Sequence, residues 1–131
     1  MPTGWRPIRH DTRVDFDDPN SGRFLRIDTT DTPQADPYVN WVNYEGQYRQ
    51  GKIGYQNLGI RPVSYGADKG WTCADWEFRI GGTHVLDRNV RVSSRRAHAI
   101  YWSTPESLWN TAESRRIFQV ATATFVPAPV G

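Results

Sequence analysis

The feature that most constrains this chain is a run in which apolar and polar residues alternate. Ala74, Trp76, Phe78 and Ile80 interleave with Cys73, Asp75, Glu77 and Arg79. A period of two is the mark of a strand with two unlike faces. Gly81-Gly82 follows as a hairpin signal, with a return strand over 83–92 and a further strand over 96–102 after Ser93-Ser94. A two-residue loop at Gly81-Gly82 sets Asp75 opposite Arg88 and Trp76 opposite Asp87. A second tight turn at Ser94-Arg95 then sets Tyr101 opposite Arg88. In that register one face carries Leu86, Val90, Val92, Ala97, Ala99 and Tyr101, and the other Trp76, Phe78, Ile80, Val85, Ile100 and Trp102. Both faces are apolar, so the sheet needs a cover on each side.

The covers are legible as two helices. Asp36 is a cap and Pro37 suits the first helical position, where a missing N–H costs nothing. Tyr38, Trp41, Val42, Glu45 and Tyr48 follow as an inner stripe, and Gly51 ends the helix. The second helix is expected to open at Ser103-Thr104-Pro105-Glu106 and to run through Trp109, Ala112, Ile117, Phe118 and Ala121, with a break near Ser114. Two short strands, 13–16 and 23–29, flank the turn residues Asp18-Pro19-Asn20-Ser21-Gly22. Residues 55–63 read as a weaker strand, in which Pro62 points to an edge or a bulge. The expectation is one α+β domain over 1–131, an antiparallel sheet flanked by two helices, with 127–131 as a tail. Hydrophobic residues are only 37% of the chain, yet six Trp, six Tyr and five Phe supply large buried areas.

Sixteen basic and fourteen acidic residues leave a net charge of +2. That balance excludes the clustered positive charge of a nucleic-acid binder. No stretch approaches the ~20 apolar residues of a membrane span, so this segment is not expected to insert directly. Cys73 stands alone, which excludes an intrachain disulfide and a Cys-based zinc site. His10, His84 and His98 share no metal-ligand spacing, and the register above sets His84 and His98 on opposite faces. No metal or cofactor is expected. Ser103 lacks a Gly-x-Ser-x-Gly elbow and reads as a helix cap. Asp15, Asp17, Asp18, Asp28, Asp31 and Asp36 lack calcium-loop spacing and read as turn and cap residues. No catalytic residue is assigned. Cys73, Trp41, Trp76, Trp102 and Trp109 read as core. Arg88 sits among Leu86, Val90 and Val92, where a bare charge is costly. Its structural reading is a cross-strand pair with Asp75 and a stack on Tyr101; its functional reading is an anion-binding arginine. Arg88, His84 and Tyr101 are the ligand-binding candidates.

Several segments, in order, carry a resemblance. They are Pro2-Thr3-Gly4-Trp5, Arg23-Phe24-Leu25-Arg26-Ile27-Asp28, Ala74-Asp75-Trp76-Glu77-Phe78, His84-Val85-Leu86-Asp87-Arg88 and Ala99-Ile100-Tyr101-Trp102-Ser103-Thr104-Pro105. Together they resemble the C-terminal extracytoplasmic domain of actinobacterial membrane serine/threonine protein kinases, especially from Streptomyces relatives. The resemblance implies a PsbP-like α/β/α sandwich. It also implies a non-catalytic sensor at the cell surface, held by a membrane-anchored parent and binding an unidentified ligand or protein partner. The kinase machinery itself is absent: no Gly-rich phosphate loop, no paired strand Lys and no catalytic-loop Asp. The family pattern carries a further strand just before the Pro-x-Gly-Trp turn; without it a sheet edge is expected to be unpaired. The other readings are a small hydrolase-type enzyme using His84, His98 or the acidic cluster, and a structural protein-interaction spacer. Oligomeric state is left open.

Overall fold

The computed structural model describes residues 5–9 and 12–127. In chain order the elements are β1 (Arg6–Arg9), β2 (Arg13–Asp17), β3 (Phe24–Thr30), α1 (Pro37–Tyr48), β4 (Tyr55–Val63), β5 (Thr72–Ile80), β6 (Thr83–Ser93), β7 (Arg96–Pro105) and α2 (Ala112–Thr124). The strands form one antiparallel sheet in the order β1-β2-β3-β7-β6-β5-β4. This is the expected α+β architecture. Sequence reading did not find β1, since four residues containing Pro7 offer no alternation to see. It pairs with β2 at the rim of the sheet, where a proline is tolerated.

The β5–β6 hairpin has the expected register, with Asp75 opposite Arg88 and Trp76 opposite Asp87. The β6–β7 register does not. A bulge between Arg91 and Ser93 shifts the pairing by one residue, so Tyr101 faces Asp87 and Ile100 faces Arg88. One inserted residue exchanges every side chain between faces. Ala97, Ala99 and Tyr101 therefore join Trp76, Phe78 and Val85, while Ile100 and Trp102 join Leu86 and Val90. His84 and His98 also share a face, contrary to the expected separation. Six residues of ladder, about 20 Å, still hold them apart.

Each face has its own helix and its own core. On the first, Asp36 Oδ1 accepts from the Tyr38 amide at 2.9 Å and Pro37 opens α1 as expected. The inward row is Trp41, Glu45 and Tyr48, with Trp41 packed on Ala74, Trp76, Phe78 and Val85. Tyr38 and Val42, expected inside, are 38% and 42% exposed. The indole N–H of Trp41 donates to the Ala74 carbonyl at 3.0 Å and pins the helix to β5. Full burial of rings such as Trp76 and Phe78 contributes about 2–3 kcal/mol each.

On the opposite face Ile117 and Ala121 of α2 meet Leu25, Cys73, Val90, Ile100 and Trp102. The second helix starts later than its cap-like sequence suggests. Ser103 lies in β7 between Phe24 and Val85, and Thr104 pairs with His84. Ladder partners on both flanks outweigh a local capping preference, so the strand continues to Pro105. The true cap is Thr111, whose Oγ1 accepts from the Ser114 amide at 3.2 Å. Buried Arg23 ties this end to the β2–β3 turn by donating to Ser114 Oγ at 2.9 Å. Gly66 is required where it stands: its φ is +67°, and a Cβ there would lie 2.0 Å from Trp71.

Candidate functional site

The three candidates Arg88, His84 and Tyr101 do not converge. Arg88 forms a two-pronged pair with Asp75, Nε to Oδ1 at 2.8 Å and Nη2 to Oδ2 at 2.9 Å. Its guanidinium lies 4.8 Å from the Tyr65 ring and 5.3 Å from the Phe118 ring. Tyr101, the expected stacking partner, is on the other face because of the bulge. Burial works against the Arg88 charge, and the Asp75 carboxylate more than offsets it. The two-pronged face of its fork is filled from within the fold, so Arg88 cannot offer that face to an outside anion. Cys73 Sγ donates to the Tyr65 carbonyl at 3.2 Å, and burial pushes its thiol up to about 11. It is an inert core residue.

His84 is the centre of a closed polar cluster. Nε2 meets Glu77 Oε2 and Nδ1 meets Glu106 Oε2, both at 2.6 Å, and the ring lies flat on Trp109 at 3.7 Å. Arg61 reaches Glu77 at 2.9 Å, and Arg79 pairs with Glu106. Burial would raise the Glu77 carboxyl, but hydrogen bonds from Arg61 and His84 leave it below the ordinary glutamate value. Both nitrogens of a ring that is 3% exposed are occupied, so no substrate proton can reach it. Ser103, the candidate nucleophile, and His98, the nearby imidazole in sequence, lie on opposite faces. Three of the six acids in the cluster are similarly engaged: Asp18 binds Asn20 and Ser21, Asp36 caps α1, and Asp15 pairs with Arg26 at 2.9 Å. Among the described residues no group of His, Cys, Asp or Glu could hold a metal. His10 lies outside the described residues.

Tyr101 borders a different feature. Beside it on β6, Asp87 is buried and its Oδ1 has no hydrogen-bond partner among the described residues. Burial, with Asp28 and Asp75 adding, pushes its carboxyl up to about 8 against the pull of Arg26. It is a neutral acid at pH 7 and fills sheet surface next to α1. Tyr101 stacks on Phe24 at 5.8 Å, with the Arg26 guanidinium 5.9 Å away.

The open space lies elsewhere, on the α2 face between β2, β3 and the end of α2. A cavity of about 870 Å³ has a floor of Val14, Phe16, Leu25 and Ile27, alternate residues of two adjacent strands. Ala121, Phe125 and Val126 wall it. Among the described residues its lining includes Arg9, Arg96 and Asp31, and Arg13, whose Nε lies 3.7 Å from Asp15 on the other face of the sheet. His98 lies inside, with Nδ1 3.1 Å from Thr29 Oγ1 and its ring edge-on to Phe125 at 5.1 Å. Burial first, and Arg96 second, bring the imidazole down to about 4, so it is neutral at pH 7. His98 Nε2 is buried without a hydrogen-bond partner among the described residues. In the sequence His98 stands out only as a metal ligand or base, and Arg96 and Phe125 do not stand out. The available signal was parity: Thr29, His98 and Arg96 share a face once the bulge is placed.

Comparison with known proteins adds the context. A family model described as "Serine/threonine kinase C-terminal domain" matches residues 1–127. A search of curated proteins returned no match. Among solved structures, the cyanobacterial PsbP (CyanoP) of Synechocystis sp. PCC 6803 superposes with a TM-score of 0.68 at 17% identity, over 98% of this chain and 84% of that one. PA94 of Pseudomonas aeruginosa, a protein of unknown function described as a putative regulator, superposes with a TM-score of 0.69 at 12% identity, over 98% and 90%. At such identities the likeness is one of fold, and the fold is PsbP-like.

Proposed function

Because the chain belongs to the family of serine/threonine kinase C-terminal domains, we propose that it is a non-catalytic extracytoplasmic sensor that binds a ligand or partner and reports to the kinase of its parent chain. The observation that carries this reading is the cavity of about 870 Å³ under the end of α2. It falls within the 300–1,000 Å³ range of small-molecule sites, and it combines an apolar floor with a few polar groups at the rim. The ionisable side chains weighed for catalysis support the same reading. His84 is held at both nitrogens and Arg88 is filled by Asp75, so neither is poised for a reaction. Phe125 and Val126 are both cavity wall and the residues that follow α2, so occupancy bears directly on the end of that helix. A ligand present at 100 times its dissociation constant stabilises the occupied state by about 2.7 kcal/mol, enough to shift a balanced two-state equilibrium strongly.

The test uses the parent kinase reconstituted in lipid vesicles. Thr124 is exposed at the cavity wall, and Thr124→Trp should close the space without disturbing the core. Autophosphorylation is expected to change when this residue is replaced and when the domain is deleted. A kinase indifferent to both changes would support a spacer instead. Protease added to intact cells is expected to remove the domain; full protection would contradict the surface location.

A further inference from the structure

We infer that the cavity between β2, β3 and α2 is a site for an amphipathic anion, an acyl or comparably slender apolar body ending in a carboxylate or phosphate. The inference rests on the sensor reading of the same cavity and names the chemistry of what enters it. Val14, Phe16, Leu25 and Ile27 form a continuous apolar floor, and Phe125 lies across from them. Such a surface in contact with water favours an apolar guest. The four floor side chains offer no hydrogen bond, so the part of the guest that covers them is hydrocarbon-like, while Thr12, Thr29, Thr30 and Thr124 lie around it.

The rim sets the other end. Arg9 and Arg96 stand at the rim with Asp31, and cationic side chains at the mouth favour an anionic head over a cationic one. When the Thr29 hydroxyl donates to His98 Nδ1, Nε2 carries the proton and is left as an unmet donor in a residue only 3% exposed. An unmet buried donor is costly, and an oxyanion supplies the acceptor it lacks. The imidazole is neutral at pH 7 and offers a hydrogen bond without adding charge to the apolar interior.

The test is calorimetric titration of the purified domain with dodecanoate and with dodecyl phosphate, both below their micelle concentrations. One-site binding of both is expected. Sodium acetate and inorganic phosphate, which carry the head alone, are expected not to bind, nor is dodecyltrimethylammonium. Arg9→Gln and His98→Phe should each weaken dodecanoate about tenfold, and Thr124→Trp should abolish binding. Circular dichroism confirms that each variant is folded, and Arg9→Lys should recover part of the affinity lost in Arg9→Gln. A preference for one of the two anions identifies the head group and supports the inference. Equal binding of dodecyltrimethylammonium, binding of phosphate alone, or dodecanoate binding untouched by Thr124→Trp would overturn it. Its failure is separable from failure of the sensor reading. If dodecyl anions do not bind while Thr124→Trp still changes kinase autophosphorylation, the ligand class falls and the sensor stands. If they bind while the kinase is unmoved, the reverse holds.

Discussion

On the α1 side of the sheet, the Trp76 ring has the rings of Trp41, Tyr44, Tyr48, Tyr55 and Phe78 within 4.5–6.5 Å, and these rings fill the layer between helix and strands. On the α2 side the helix contributes Ile117 and Ala121 where α1 contributes Trp41, and the far end of that face stays open as the cavity. The difference lies in side-chain size at equivalent depth. Large rings close an interlayer gap by themselves, whereas alanine leaves a gap that strand residues alone do not fill. The filled face holds the fold; the unfilled end is free to hold something else.

Core truncations should break the symmetry most. Trp76→Ala is expected to cost about 3–5 kcal/mol in urea unfolding. Phe125→Ala at the cavity wall is expected to cost about 1 kcal/mol, because its ring is only partly surrounded. Equal losses would mean that the two sides are packed alike. Asp75→Ala should cost about 3 kcal/mol by stranding Arg88 beneath Tyr65 and Phe118, and Asp75→Leu combined with Arg88→Met should recover most of it. Failure of the double variant to recover stability would point to a role for Arg88 beyond this pair.

The two faces should also differ in sign with pH. The folded value of Asp87 is raised from 3.8 to about 8, so the folded state holds a proton that the unfolded state has lost. Its contribution therefore declines as pH rises from 4 to 8. The folded value of His98 is lowered from 6.5 to about 4, so its contribution declines as pH falls from 6.5 to 4. The two oppose each other below pH 6.5, and Asp87 acts alone above it. Asp87→Asn should leave stability rising from pH 4 to 6.5 and flat beyond. His98→Gln should leave it falling throughout, each by about 1 kcal/mol per pH unit. Profiles parallel to that of the parent domain would contradict both assignments. The smallest effect is expected for Thr124→Trp, within about 0.5 kcal/mol of the parent, since the residue is exposed.

Much of this fold is written locally. Alternation over Cys73 to Ile80, the Gly81-Gly82 turn and the Asp36-Pro37 cap each act through neighbours in the chain, and the β5–β6 register follows from them. The bulge at Val92 leaves no such mark, because neither glycine nor proline signals it. Its absence from the reading moved Tyr101 and His98 to the wrong faces. Ser103-Thr104-Pro105-Glu106 has the chemistry of a cap, but pairing on two flanks overrode it. The cavity was the least legible feature. Val14, Thr29, His98 and Phe125 come from four segments, and only the assembled sheet brings them together. The family, by contrast, was readable from the order of short segments such as Ala99 to Pro105, before any geometry was known.

The most direct test of the contrast between the faces is amide NMR of the domain titrated with dodecanoate. Shifts confined to residues 12–16, 25–30, 96–98 and 121–126 are predicted. Shifts centred on α1 and its exposed Tyr38, Val39 and Val42, or none at saturating concentration, would contradict the assignment of the open end as the binding face.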